Sequence, residues 1–217
     1  MSGEGAVRRE RNIQRSVKSV LSNVLALFLR GSAPLLEAFQ GLYCHAALSA
    51  SIDSALPAST VVLGRIAVYG SRRIHFGENV LLYPDVHLET QGDAQILIGD
   101  DVVISRGAHI VAMAGVTIGR GSLIGEYAGI RDANHVRETG RTIRESGNVA
   151  KAIKIGQEVW LGRGVTVLPG VTLGDRVTVG ANAVVTKDVP GGATAVGVPA
   201  KPIAPTGTSN VTDKRAK

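Results

Sequence analysis

Residues 155–188 read IGQEVW LGRGVT VLPGVT LGDRVT VGANAV VTKD, and taken in sixes they fall into register. Ile155, Leu161, Val167, Leu173, Val179 and Val185 share one phase and are all aliphatic. Four residues after each come Val159, Val165, Val171, Val177, Ala183 and Val189, all small or β-branched. Gly156, Gly162, Gly174 and Gly180 directly follow the first aliphatic. An amphipathic helix repeats every 3.6 residues and a half-buried strand every two. A strict six with glycine at a fixed slot is instead the mark of a β-helix. Three sixes make one triangular coil, and successive coils pair as parallel strands roughly 4.8 Å apart. The aliphatics then fill a prism. The glycines are expected at its corners, where they take backbone angles that other residues resist.

The same register extends backwards. Phe76, Leu82 and Leu88 are followed, after a ten-residue step, by Ile98, Ile104 and Ile110. An eight-residue step leads to Ile118, Ile124 and Ile130, and a 25-residue step to Ile155. All fifteen of these inward positions are apolar, so the breaks are corner insertions that leave the register intact. They are a slight expansion at 90–95, a two-residue bulge near Met113, and a long polar loop, 135–152. Long loops on a rigid scaffold tend to carry function.

The remainder of the chain bounds the reading. Its 217 residues suffice for one sizeable domain. Glycine is abundant at 27 residues and aromatics are scarce at 4%, as a narrow aliphatic prism requires. A single cysteine, Cys44, rules out a disulfide framework and points to a reducing compartment. The formal charge is +6, and Arg8, Arg9, Arg11, Arg15, Lys18 and Arg30 place much of it in the first 30 residues. No aromatic-interleaved basic patch accompanies it, which argues against a nucleic-acid partner. No apolar run reaches the roughly 18 residues of a bilayer span, and the start of the chain lacks the pattern of a signal peptide. The chain therefore reads as cytoplasmic.

Three segments follow. Residues 1–40 form a basic, amphipathic helical segment, with 1–12 expected to be disordered and Pro34 to interrupt the helix. Such a helix packs on protein or lies on an anionic membrane through residues 8–30. Residues 41–203 form the all-β domain, with an imperfect first coil around 61–68 and regular hexads from 76. Residues 204–217 are expected to be a disordered tail.

Chemistry concentrates where the long loop begins, at Arg131, Asp132, Ala133, Asn134 and His135. By hexad count Asn134 takes an inward slot that elsewhere holds Val or Ala, with His135 outward beside it. A local rule broken next to a histidine marks a candidate site. Histidine is the side chain best suited to take a proton near neutral pH. Asp132, Asn134 or a backbone carbonyl can fix its tautomer. His75, His87 and His109 share the outward phase, and His87 and His109 stack on one face in adjacent coils. That pair admits a metal only with a third ligand, which the sequence does not supply. Trp160 also points outward, either as a flat wall for a ligand or as a subunit contact.

With the sixes, the loop histidine, VWLG at 159–162, LPGVTLG at 168–174, VVTKDVP at 184–190 and GVPAK at 197–201, the chain resembles the left-handed β-helix acyltransferases. The closest pattern is that of the galactoside, maltose and Nod-factor O-acetyltransferase branch and its capsular-polysaccharide relatives. The resemblance spans 76–203. It implies a left-handed parallel β-helix, a homotrimer, and acetyl-CoA lying between adjacent prisms. It makes His135 the general base on a saccharide hydroxyl that attacks the thioester directly. Backbone amides near Gly162 and Arg163 steady the oxyanion. Trp160 lines the pantetheine or acceptor pocket, and the Ala181 backbone meets the pantetheine amides. Thr186, Lys187 and Lys201 lie near the adenine and phosphates. On the acceptor side the candidates are Arg131 and Ser105, the latter nearest to the family's sugar-contacting asparagine. Arg163 replaces a residue that is often small in this branch, and Ala204 one that is often basic. The alternative readings are a metal-dependent hydratase of the β-helical carbonic anhydrase type and a non-catalytic assembly protein.

Overall fold

The computed structural model describes residues 3–203 and divides the chain into two compact units, 1–42 and 43–217. The tail expected at 204–217, and with it Ala204, lies outside the described residues.

Helix α1 spans Gly3–Ser49, longer than expected at both ends. Residues 6–11, expected to be disordered, are rich in Ala, Arg and Glu, which are strong helix formers. Pro34 does not end the helix. Proline removes one amide bond to the preceding turn, but Leu35, Leu36 and Ala38 carry the helix onward. Its apolar residues lie on one broad face. Val24, Leu25, Leu27, Phe28 and Leu29 are all exposed, and at 100° per residue they share one broad arc of about 200°, with Arg15, Ser19, Arg30 and Glu37 on the opposite side. One 18-residue window within Val17–Ser49 reaches a mean hydropathy of 1.4. The helix is therefore long and apolar enough to cross a membrane, which corrects the sequence expectation. That expectation counted unbroken apolar runs and so missed a stretch broken by isolated polar residues such as Lys18, Asn23, Arg30 and Glu37.

The second unit is a left-handed parallel β-helix of about seven turns. Its strands form three parallel sheets, the faces of the prism. One face holds Leu123–Ile124, Trp160–Leu161 and Thr178–Val179, paired in register. A second holds His87–Thr90, His109–Ala112, Gly129–Arg131 and Thr166–Val167. The third holds Val116–Ile118, Ile153–Ile155 and Thr172–Leu173. The first coil begins at Val61–Val62 and Ala67–Gly70, where the sequence placed an imperfect one. Cys44, Leu48 and Ile52 join the apolar core ahead of it, and His45 Nε2 lies 3.2 Å from the Pro57 carbonyl.

All fifteen inward residues are buried, as are the six at the second inward slot of 155–189. Burial of aliphatic area at about 25 cal/mol per Å² is the main force holding the coils together.

The glycines keep their places for a different reason. None of Gly156, Gly162, Gly174 and Gly180 has positive φ. A Cβ on Gly162 would lie 2.7 Å from the Ala181 backbone nitrogen, and one on Gly156 2.7 Å from that of Asp175. Slots 156, 162 and 174 are glycine because successive coils touch backbone to backbone, whereas a Cβ on Gly180 would meet the Val196 side chain at 2.8 Å. The left-handed angles fall two residues later, at Glu158, Gly164, Gly170, Arg176 and Asn182, again every six.

Candidate active site

The long loop is an ordered hairpin. Ala133–His135 pairs antiparallel with Asn148–Ala150, with His135 opposite Asn148. Its tip is held by local bonds. The Thr142 amide and hydroxyl donate to Glu145 at 3.0 and 2.9 Å, and Arg141 pairs with Glu138 at 2.9 Å. The two bonds from Thr142 hold the exposed Glu145 carboxyl below its ordinary range.

The hexad count assigned the inward polar slot to Asn134, and the structure gives it to Asp132. Asn134 is exposed, whereas Asp132 is fully buried. The chain leaves the prism at Asp132, so the six-residue count no longer applies two residues on. The Asp132 carboxylate accepts three backbone N–H bonds, from Met113 at 2.8 Å, Ala114 at 2.7 Å and Gly115 at 2.6 Å. Those amides belong to the two-residue bulge of the preceding coil. The Asp132 carbonyl accepts the Lys151 amide at 2.8 Å, closing the far end of the hairpin. Asp132 is thus a clamp for the root of the hairpin, with both oxygens spent on backbone, and does not fix the His135 tautomer. His135 itself is exposed, just past this fixed point.

The other predicted residues divide between corners. Trp160 is exposed on the first face, beside Leu123 and Thr178 in neighbouring coils. Gly162 and Ala181 touch across adjacent coils at the corner that follows. The Gly162 N–H is bonded to the Val179 carbonyl at 2.8 Å, so it is not free for an oxyanion. Arg163 lies outside the strands, with its guanidinium over the Tyr127 ring at 5.5 Å. Thr186, Lys187 and Lys201 are exposed. Asp188 next to them accepts the Thr172 amide at 2.7 Å, and Lys201 pairs with Val196 in a terminal antiparallel hairpin. Ser105 is largely buried at a corner of the prism.

In one prism the Trp160–Arg163 corner and the His135 hairpin stand at opposite edges of the second face. That face carries Arg131, and also a feature visible in the face count: His87 and His109 stack with ring centroids 4.0 Å apart. Tyr69 continues the column at 5.0 Å from His87. His87 Nε2 lies 3.3 Å from Glu89. Burial, and after it the charges of His87 and Arg131, lower the His109 pKa below its ordinary value. A bond from Gln91 and the proximity of His87 and Arg131 lower that of Glu89. The two imidazoles meet face to face rather than turning their nitrogens to a common point. Among the described residues no group of three His, Cys, Asp or Glu side chains is suited to a metal ion.

The chain is similar to a family model, to two relatives and to a solved structure. Residues 152–187 match the family model described as bacterial transferase hexapeptide (six repeats). The chain is 39% identical over 136 residues to WbbJ of Escherichia coli (strain K12), named for an O-acetyl transferase of lipopolysaccharide biosynthesis; the match covers 59% of this chain and 69% of the relative. It is 37% identical over 126 residues to Nodulation protein L of Rhizobium meliloti (strain 1021), covering 58% and 67%. Among solved structures the fold resembles that of AntD, an N-acyltransferase from Bacillus cereus, with TM-score 0.60 and 18% identity over 73% of this chain and 85% of that one.

Proposed function

The chain belongs to the bacterial hexapeptide-repeat transferases, and from that premise we propose that it moves an acetyl group from acetyl-CoA to a hydroxyl of a saccharide acceptor. His135 is the general base. It takes the proton of the acceptor hydroxyl as that oxygen attacks the thioester carbonyl carbon. The C–S bond breaks, and the imidazolium returns the proton to the departing thiolate of CoA. The Arg163 amide, outside the strand ladder, is the donor for the oxyanion in place of Gly162. Trp160 and Ala181 flank the pantetheine arm, and Thr186, Lys187 and Lys201 meet the nucleotide end, where lysines suit phosphates as point charges. Support for acetyl transfer comes from WbbJ, by its name an O-acetyl transferase.

The observation that carries the reading is the placement of His135: exposed, on a paired hairpin, three residues beyond a buried carboxylate that bonds three backbone amides. A general base works when its position is fixed before the substrate arrives. The separation of the His135 hairpin from the Trp160 corner favours a homotrimer, in which the hairpin of one prism faces the corner of its neighbour.

We place the protein on the cytoplasmic side of a membrane. The basic residues 8–30 meet anionic headgroups, and the exposed apolar residues of α1 enter the acyl layer.

Calorimetry with acetyl-CoA on wild type and His135→Ala tests the catalytic reading. Similar affinity in both, with CoA release on a saccharide panel only in wild type, is the expected result. Absence of acetyl-CoA binding by wild type overturns it.

A further inference from the structure

Gly129 is a glycine without a structural reason. It sits inside a strand, its φ is not positive, and its amide bonds the Val165 carbonyl at 2.8 Å. A Cβ there would meet nothing nearer than Thr166 Oγ1, at 4.0 Å. A strand glycine of this kind marks a place where something else approaches the backbone.

Its neighbours shape that place. On the outward row of the second face, Gly129 lies between His109 in the coil before and Thr166 in the coil after. His109 has one ring face covered by His87, with an interplanar angle of 26°. Stacking along the row turns the opposite ring face towards Gly129. From His109 to Thr166 is two strand spacings, about 9.6 Å. A ring in van der Waals contact on both sides needs roughly 7 Å. The missing side chain thus opens a slot one ring wide, with an imidazole face on one wall and a hydroxyl on the other. Arg131 lies two residues along the same strand, on the same side of the sheet. The slot lies on the face bounded by the Arg163 corner and the His135 hairpin.

We propose that this slot is the acceptor subsite: a pyranose ring stacks its C–H face on His109, over Gly129, and bonds through its hydroxyls to Thr166 and Arg131. This rests on the acetyl-transfer reading only for the name of the bound sugar as acceptor. Apolar C–H groups stack well on a neutral ring, and the lowered pKa of His109 keeps it neutral at pH 7. Glu89 holds a carboxylate next to Arg131, which leaves the slot without the strong positive charge that would select a phosphate.

The test is binding rather than turnover. Saturation-transfer NMR is recorded with methyl pyranosides of glucose, galactose, mannose, rhamnose and N-acetylglucosamine, and with uridine as a planar competitor. The proteins are wild type, Gly129→Val, His109→Ala and His135→Ala, each checked for an unchanged melting point. The proposal expects at least one pyranoside to bind wild type and His135→Ala. Gly129→Val should abolish the signal, and His109→Ala should weaken affinity about threefold to tenfold. Val is a good strand residue and enters open space, so loss of folding is not expected to mimic the result. Equal binding by Gly129→Val, preference for uridine, or no pyranoside binding by wild type overturns the proposal. Pyranoside binding through the slot without acetyl transfer would leave the subsite standing and remove the transferase reading instead.

Discussion

Replacing Asp132 by alanine is expected to cost about 3–5 kcal/mol of stability, a figure set by the three amides the carboxylate satisfies. Its side chain is fully buried and bonds the Met113, Ala114 and Gly115 amides at 2.8, 2.7 and 2.6 Å. A hydrogen bond to a charged group contributes about 1.5–3 kcal/mol, so three summed independently would give roughly 4.5–9. The sum overshoots here, because Ala114 is exposed and Met113 and Gly115 are half-buried. Once the carboxylate is gone, water can reach part of the bulge. Asp132→Asn keeps one acceptor oxygen and is expected to lose about 1.5–3 kcal/mol. The assay is urea unfolding combined with hydrogen exchange, since coils of a solenoid can open separately. Amides 113–115 and 133–150 should lose protection before those of 155–188. A loss below about 1 kcal/mol with protection intact would refute the clamp. An Asp132→Asn protein that is stable but inactive would return Asp132 to the role of orienting His135.

Three further outcomes follow from the same geometry. Gly125→Ala should cost about 1–3 kcal/mol or more, since its Cβ would lie 2.6 Å from the Leu161 carbonyl oxygen; Gly129→Ala should change stability by no more than about 0.5 kcal/mol, and equal melting points for the two variants would contradict the backbone-contact account. The folded-state pKa of His109 lies below its ordinary value of 6.5, so the unfolded chain binds more protons as pH falls through that value. That stabilisation is present above pH 6.5 and lost below it, and melting points of His109→Gln should fall less steeply than those of wild type between about pH 7 and 5.5; parallel curves would contradict this. Wild type should co-sediment with vesicles of phosphatidylglycerol and phosphatidylethanolamine and release on adding salt, whereas Leu21→Glu/Phe28→Glu should stay in solution; no difference between them would remove α1 as the membrane contact.

The prism was legible because its physics is periodic. A column only a few side chains wide admits aliphatics at fixed slots, and fifteen such slots in one register leave no other period. The glycines were placed well and explained wrongly, since a one-dimensional pattern records that a Cβ is excluded but not whether by backbone angle or by the next coil. Asn134 and Asp132 exchanged roles because the count assumes that the chain stays on the prism, and it leaves two residues earlier. The three-amide clamp pairs residues 17 to 19 apart in sequence, and nothing local marks the bulge as its partner. The His87–His109 stack was readable by counting faces, but the open slot beside it was not, because Gly129 looks like any other glycine until the space around it is seen. Helix α1 was legible as an amphipathic segment, but its length was not, and neither was the mean hydropathy of its Val17–Ser49 part, since polar residues on one face break every apolar run.

The central claim is transfer of acetyl from acetyl-CoA to a saccharide hydroxyl by way of His135. The most direct measurement is mass spectrometry of a saccharide panel after incubation with acetyl-CoA and either wild type or His135→Ala. The account predicts one added acetyl group, alkali-labile as an ester, formed at least about 100-fold more slowly by His135→Ala. An unchanged panel with wild type, or equal rates for the two proteins, would contradict it.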